Sequence, residues 1–170
     1  MRSDLEHEAV DSQYVEAKHV PTVGPAHVIL GSYEGVRSPA RAPEGVTYLL
    51  VRLAAGSEWT FTPPSAEPLA WLAVSNGQLI GKTAADAGEM VIFERTARPI
   101  TLKAGSDGDA IFVIGSATPH PHDLHLGSYS VHTSADSLAK GETTIERLRP
   151  LLVAAGDRRT ASGSIPVFKD

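Results

Sequence analysis

Seven short apolar runs recur at intervals of about ten residues between Val46 and Gly115, and they restrict the chain more than any other feature. They are VTYLLVRL (46–53), EWTFT (58–62), PLAWLAV (68–74), QLIGKT (78–83), EMVIFE (89–94), PITLKA (99–104) and DAIFVIG (109–115). Each is too short for a helix and is rich in β-branched and aromatic side chains. Turn signals separate them: Ala55-Gly56, Pro63-Pro64-Ser65, Ser75-Asn76-Gly77, Asp86-Ala87-Gly88 and Gly105-Ser106-Asp107-Gly108. Such spacing predicts an antiparallel sandwich or barrel. Asn76-Gly77 reads as the tightest hairpin, because both central positions of a type I′ turn need positive φ. An eighth run, Ala26 to Gly31, is bounded by Pro25 and Gly31 and reads as a strand. Ser32 to Gly45, with its glycines and prolines, reads as a loop.

Either side of this block the pattern changes. Residues 1–25 are polar and form an N-terminal arm, with Tyr14 and Val15 as its expected anchors, and 26–118 form the barrel. Residues 119–156 form a return arm followed by helices, and 157–170 a flexible tail. In the helical part Leu138, Ile145, Leu148, Leu151 and Leu152 keep helical spacing, and Thr133 or Ser134 is placed to cap it. Gly141 is expected to divide it into two helices, and Pro150 to kink or end the second near Arg149.

Composition excludes several classes of function. With no cysteine, only His, Asp and Glu remain as strong metal ligands. A net charge of −5 and the lack of a basic cluster argue against a nucleic-acid surface. Neither a signal peptide nor a run long enough to cross a bilayer is visible, so the chain is expected to avoid membranes and to be cytoplasmic.

Histidine is concentrated in one place. Four of the seven lie between Gly115 and Ser134, and His120, His122 and His125 fall within six residues. They fit either a metal cluster, with His132 as a further ligand, or a connecting arm. The prolines of Thr118-Pro119-His120-Pro121-His122 favour extended backbone, in which His122 and His125 share a face and His120 and His122 do not. The arm is therefore the preferred reading. Ser130, His132 and Asp123 have the residue types of a nucleophilic triad but lack an elbow motif. No helix start follows Gly105 and Gly108 to hold a phosphate. Glu58, Glu67, Asp86, Glu89 and Glu94 lie on different strands, which disfavours an oxygen-only metal site. Trp59, Trp71 and Arg98 are the candidate ligand-binding residues around the barrel interior, with core packing the preferred role of the tryptophans.

The strand pattern resembles that of a cupin, a double-stranded β-helix whose general metal motif has two histidines and a glutamate on one strand region and a further histidine later. Gly56 to Gly77 contains no histidine, and Arg98 and Pro99 stand where the later one is expected. Arginine stays protonated and does not ligate metal. Three segments carry a narrower resemblance: Gly31-Ser-Tyr-Glu-Gly-Val-Arg-Ser-Pro39, Val46 to Leu53, and Ile114 through His120-Pro-His-Asp-Leu-His-Leu-Gly-Ser-Tyr-Ser-Val-His-Thr-Ser134 to Leu138, Gly141-Glu142 and Ile145. Over about residues 14–155 the chain is similar to the C-terminal half of pirin-like bicupins, which include bacterial quercetinase-type proteins. That family holds its metal, usually iron, in the N-terminal barrel, and none of those ligands has a counterpart here. The resemblance thus implies a metal-free scaffold, binding or assembly module without its own catalysis. Its expected partner is another copy of itself or a metal-bearing pirin-like cupin. The alternative is a dioxygenase or other small-molecule enzyme, with iron or another divalent metal held by His120, His122 and His125 or supplied by a partner barrel.

Overall fold

A computed structural model describes residues 6–8, 12–64 and 69–154. These divide into two compact units, one of residues 11–120 and one made from residues 1–10 together with 121–170.

The strands of residues 11–120 are β1 (Thr22–Val23), β2 (Ala26–Leu30), β3 (Ser32–Tyr33), β4 (Val36–Arg37), β5 (Val46–Leu53), β6 (Glu58–Phe61), β7 (Leu69–Asn76), β8 (Gln78–Ile80), β9 (Ala85–Asp86), β10 (Met90–Ile92), β11 (Ile100–Ala104) and β12 (Ala110–Ala117). All eight apolar runs contain a strand. A six-stranded sheet has the order β1-β2-β5-β12-β7-β10, a four-stranded sheet the order β6-β11-β8-β9, and every pairing is antiparallel. Alternate residues of both sheets meet in one core: Val28, Leu49, Val51, Leu72, Phe112 and Ile114 from the first, Phe61, Leu79 and Leu102 from the second, all fully buried. The mainly β architecture expected from the spacing is present.

Two turns differ from expectation, for steric reasons. Asn76-Gly77 makes no hairpin, since β7 pairs with β10 and β12 whereas β8 pairs with β9 and β11. Gly77 is the corner at which the chain leaves one sheet for the other. It has φ +72°, and a Cβ there would lie 2.3 Å from the Asp109 carbonyl oxygen. The type I′ hairpin occurs within the presumed loop, where Glu34 and Gly35 have φ +46° and +78° and join β3 to β4. That hairpin puts Tyr33 into the core, 5.4 Å from the Phe61 ring and edge-on to Trp59 at 6.0 Å. Tyr14 is exposed and anchors nothing. The side chain of Gln13 holds this part of the arm instead, donating to the Pro39 carbonyl at 3.0 Å and accepting from the Arg41 amide at 2.8 Å.

In the other unit, β13 (His125–Leu126) and β14 (Val131–His132) form a hairpin that packs on α1 (Ala135–Ala154). Ser134 caps α1, its hydroxyl accepting from the Ser137 amide at 3.1 Å. The helix is continuous, contrary to the division expected at Gly141. Gly141 is buried there because the His132 imidazole lies against it, and a Cβ would come within 2.3 Å of His132 Nε2. Nor does the helix end at Arg149. Pro150 lacks one amide donor, but the amides after it can still bond to carbonyls one turn back. The tail at 157–170 lies outside the described residues.

Candidate functional site

The interior of the two-sheet unit is apolar. Among the described residues its buried polar side chains are those of Ser38, Thr47 and Ser116, all hydroxyls. Among the described residues no imidazole or carboxylate is buried in it, and no three metal-ligating side chains come together there. The expected ligand-binding residues do not converge. Trp59 faces inward at the margin of the core, 6.1 Å from Phe61 and 6.4 Å from Phe112. Trp71 points the other way, a correction to its place around the interior. On β7 it is Ala70, Leu72 and Val74 that enter the core, while Trp71 packs on Tyr48 at 5.7 Å and covers Gly115. Arg98 is exposed in the connection between β10 and β11. A surface cleft of about 560 Å³, lined by Glu58, Lys82, Phe93, Pro99 and Lys103 among others, includes none of the three.

The outward face of the six-stranded sheet is unusual. An antiparallel sheet with one solvated face normally alternates apolar inward and polar outward. Here two successive outward rows run across the strands as His27, Leu50, Val113, Ala73, Met90 and as Leu30, Tyr48, Gly115, Trp71, Ile92. Nine of these ten residues are apolar, aromatic or glycine. Met90 is 60% and Ile92 79% exposed on the edge strand, and Leu69 is also exposed. The presence of glycine at 115 is explained by the indole, whose nearest atoms would be 3.1 Å from an added Cβ.

A polar cluster lies in the other unit. Among the described residues, Glu6, His7 and His132 are the three metal-ligating side chains whose donor atoms all fall within 4.8 Å of one another. His120, His122 and His125 make no such group, although β13 pairs His125 with His132. Glu6 Oε1 accepts from the Thr133 amide at 3.1 Å. Glu6 Oε2 accepts from the Ser137 hydroxyl and from His132 Nδ1, the latter at 3.1 Å. The Ser137 hydroxyl, the Thr133 contacts and His132 together hold the Glu6 carboxyl down at about 2, against the opposing effect of burial. The amino end of α1 adds a favourable dipole. Because that carboxylate is ionised, His132 presents a protonated Nδ1 to it. Ser137 gives its only proton to Glu6, so His7 Nε2, 2.9 Å away, donates to the Ser137 oxygen. His7 and His132 stack with ring centroids 5.5 Å apart.

This arrangement is not a nucleophilic triad. Ser137 and Glu6 both address Nδ1 of His132, at 3.3 and 3.1 Å, whereas a triad uses opposite ring nitrogens. Ser130 of the sequence-based triad bonds elsewhere, to Glu142 Oε1 at 3.1 Å. Glu6 and His7 were invisible to sequence reasoning, because 126 residues separate Glu6 from His132 and no local spacing links them. The signal that could have found it is a glycine inside a helical pattern nine residues after a histidine, which in the sequence alone reads as a helix break.

Two antiparallel sheets enclose one apolar core, the arrangement of a cupin-type double-stranded β-helix. Comparison with solved structures agrees. A structure of quercetin 2,3-dioxygenase from Acinetobacter baumannii matches with a TM-score of 0.69 at 15% identity, over 81% of this chain and 49% of that one. A second structure of that protein gives 0.58 at 16% identity, over 85% and 48%. This chain thus spans about half the length of the dioxygenase, and the likeness is one of fold. No family model and no curated protein matches the sequence. No helix among the described residues is long and apolar enough to cross a membrane.

Proposed function

We propose that the chain is a pirin-like cupin domain of the quercetinase C-terminal type, with a barrel free of metal, that acts as an assembly module without catalysis of its own. The observation that carries this reading is the apolar outward face of the six-stranded sheet, ending in exposed Met90 and Ile92. Isolated apolar residues on a surface need no explanation, but two contiguous rows ending on an edge strand mark a contact surface. The partner is a second copy of this chain, which would use the face in a two-fold, self-complementary manner. A metal-bearing pirin-like barrel is the other candidate for the same face. The match to about half of a dioxygenase supports a domain that works beside another barrel. Among the described residues the interior buries hydroxyls but no imidazole or carboxylate that could activate a substrate, which favours this role over a dioxygenase. The net charge of −5 favours a protein partner over nucleic acid.

Light scattering across a micromolar concentration series tests the reading. The wild-type chain should be dimeric and the Met90→Lys/Ile92→Lys double variant monomeric, with the same far-UV ellipticity, since both side chains are exposed in the single chain. A wild-type chain that stays monomeric and also fails to bind a quercetinase-type barrel would remove the basis of the proposal.

A further inference from the structure

We propose that Glu6, His7 and His132 form a binding site for a divalent transition metal of the zinc kind, outside the barrel and independent of any barrel metal. The donor set is two imidazole nitrogens and one carboxylate oxygen, a combination that suits zinc and leaves a fourth position open. The geometry is close to what the ion needs. At zinc–ligand distances near 2.0–2.1 Å, neighbouring ligand atoms of a tetrahedron lie about 3.3 Å apart. Glu6 Oε2 and His132 Nδ1 are already 3.1 Å apart, and the third donor lies within 4.8 Å of both.

Much of the ordering that a metal site requires is already in place. The His132 side chain is 8% exposed and that of Glu6 1% exposed. Gly141 fixes the imidazole from behind, and the Thr133 amide holds the far oxygen of the carboxylate. His7 is exposed and closes the site from the solvent side. The Ser137 hydroxyl gathers the three donors: it bonds to Glu6 Oε2, lies 2.9 Å from His7 Nε2, and lies 3.3 Å from His132 Nδ1. A cation placed among the donors replaces the protons that now bridge them. His132 then carries its proton on Nε2, His7 carries its own on Nδ1, and Ser137 is available as a fourth ligand. Bound metal would fasten the segment at residues 6–8 to the hairpin β13–β14 and the start of α1.

The test uses the full chain without a histidine tag, stripped with EDTA, dialysed against zinc and passed over a desalting column before elemental analysis. About one zinc per chain should remain. Cobalt should give the visible d–d absorption of a four-coordinate site. His7→Ala and Glu6→Gln should each weaken binding at least about tenfold, taking the loss for altered supporting groups as a lower bound. A His120→Ala/His122→Ala/His125→Ala variant should keep the metal. Since His7 is exposed, its variant should fold, as helical ellipticity will verify. Zinc should also raise the melting temperature of the helical signal in wild type and not in His7→Ala. Absence of retained zinc overturns the proposal. So does zinc that survives His7→Ala and Glu6→Gln but is lost from the triple variant.

Discussion

Replacing Gly141 with alanine separates two opposed expectations. In an exposed helix interior the exchange stabilises by about 1 kcal/mol, since glycine is the poorer helix former. Within α1 the new Cβ would lie 2.3 Å from His132 Nε2, 2.7 Å from Cε1 and 3.3 Å from Cδ2. The obstacle is a rigid ring, not the end of a flexible chain. It cannot withdraw without losing the 3.1 Å hydrogen bond from Nδ1 to Glu6. Overpacking of this kind costs about 1–3 kcal/mol, and such a short contact belongs in the upper part of that range. Subtracting the helical gain leaves a net destabilisation of about 1–2 kcal/mol. Two probes follow the two units separately during urea unfolding. Far-UV ellipticity reports α1, while both tryptophans, Trp59 and Trp71, lie in the two-sheet unit. The ellipticity transition should move to lower urea and the fluorescence transition should stay. In a His132→Ala background the ring is gone, and the same glycine exchange should become neutral or stabilising. An equal loss in both backgrounds, or stabilisation in the wild-type background, would show that the ring is not why glycine occupies this position.

Other outcomes follow from the same structure. Gly77→Ala places a Cβ at φ +72° and 2.3 Å from a backbone oxygen, and should destabilise the two-sheet unit by about 2 kcal/mol or more, read from tryptophan fluorescence in urea. Leu72→Ala, at a fully buried position, should cost about 2–5 kcal/mol in the same assay, and a smaller loss would mean that the core collapses around the cavity. Burial first, and the neighbouring Glu34 charge second, push the Tyr33 phenol up to about 12. The neutral form is the one the fold favours, so this contribution is complete below the unfolded value of 10 and is lost as pH rises from there towards 12. Ultraviolet titration should show a late phenolate that is missing in Tyr33→Phe, and a wild-type titration without it would contradict the packing described for this ring.

The parts of the fold that repeat locally were legible in the sequence. Val46 to Leu53 is a strand over its whole predicted length, and Ser134 caps α1 as its position suggested. The errors came where a residue serves a distant contact. Asn76-Gly77 has the composition of a hairpin, yet its glycine is required by Asp109 across a corner between sheets. Glu34-Gly35 forms the hairpin with a residue that seldom adopts positive φ, so composition concealed it. Trp71 has the alternation of a core residue, but alternation leaves the choice of face open, and the face chosen is the outward one. The cluster around His132 was half visible. His132 and Gly141 stood in the sequence as a ligand candidate and a helix breaker, and only Glu6 and His7 show why they belong together.

The contact between Glu6 and His132 also sets an order of events during synthesis. His132 is made 126 residues after Glu6, roughly 6–25 s later at ordinary rates of about 5–20 residues per second. The entire two-sheet unit, residues 11–120, emerges in that interval. It can fold while Glu6 waits, and the smaller unit can form only once the hairpin and helix have left the ribosome. A chain ending before residue 132 and released from the ribosome would therefore contain the sheets and their core, with Glu6 lacking its histidine partner.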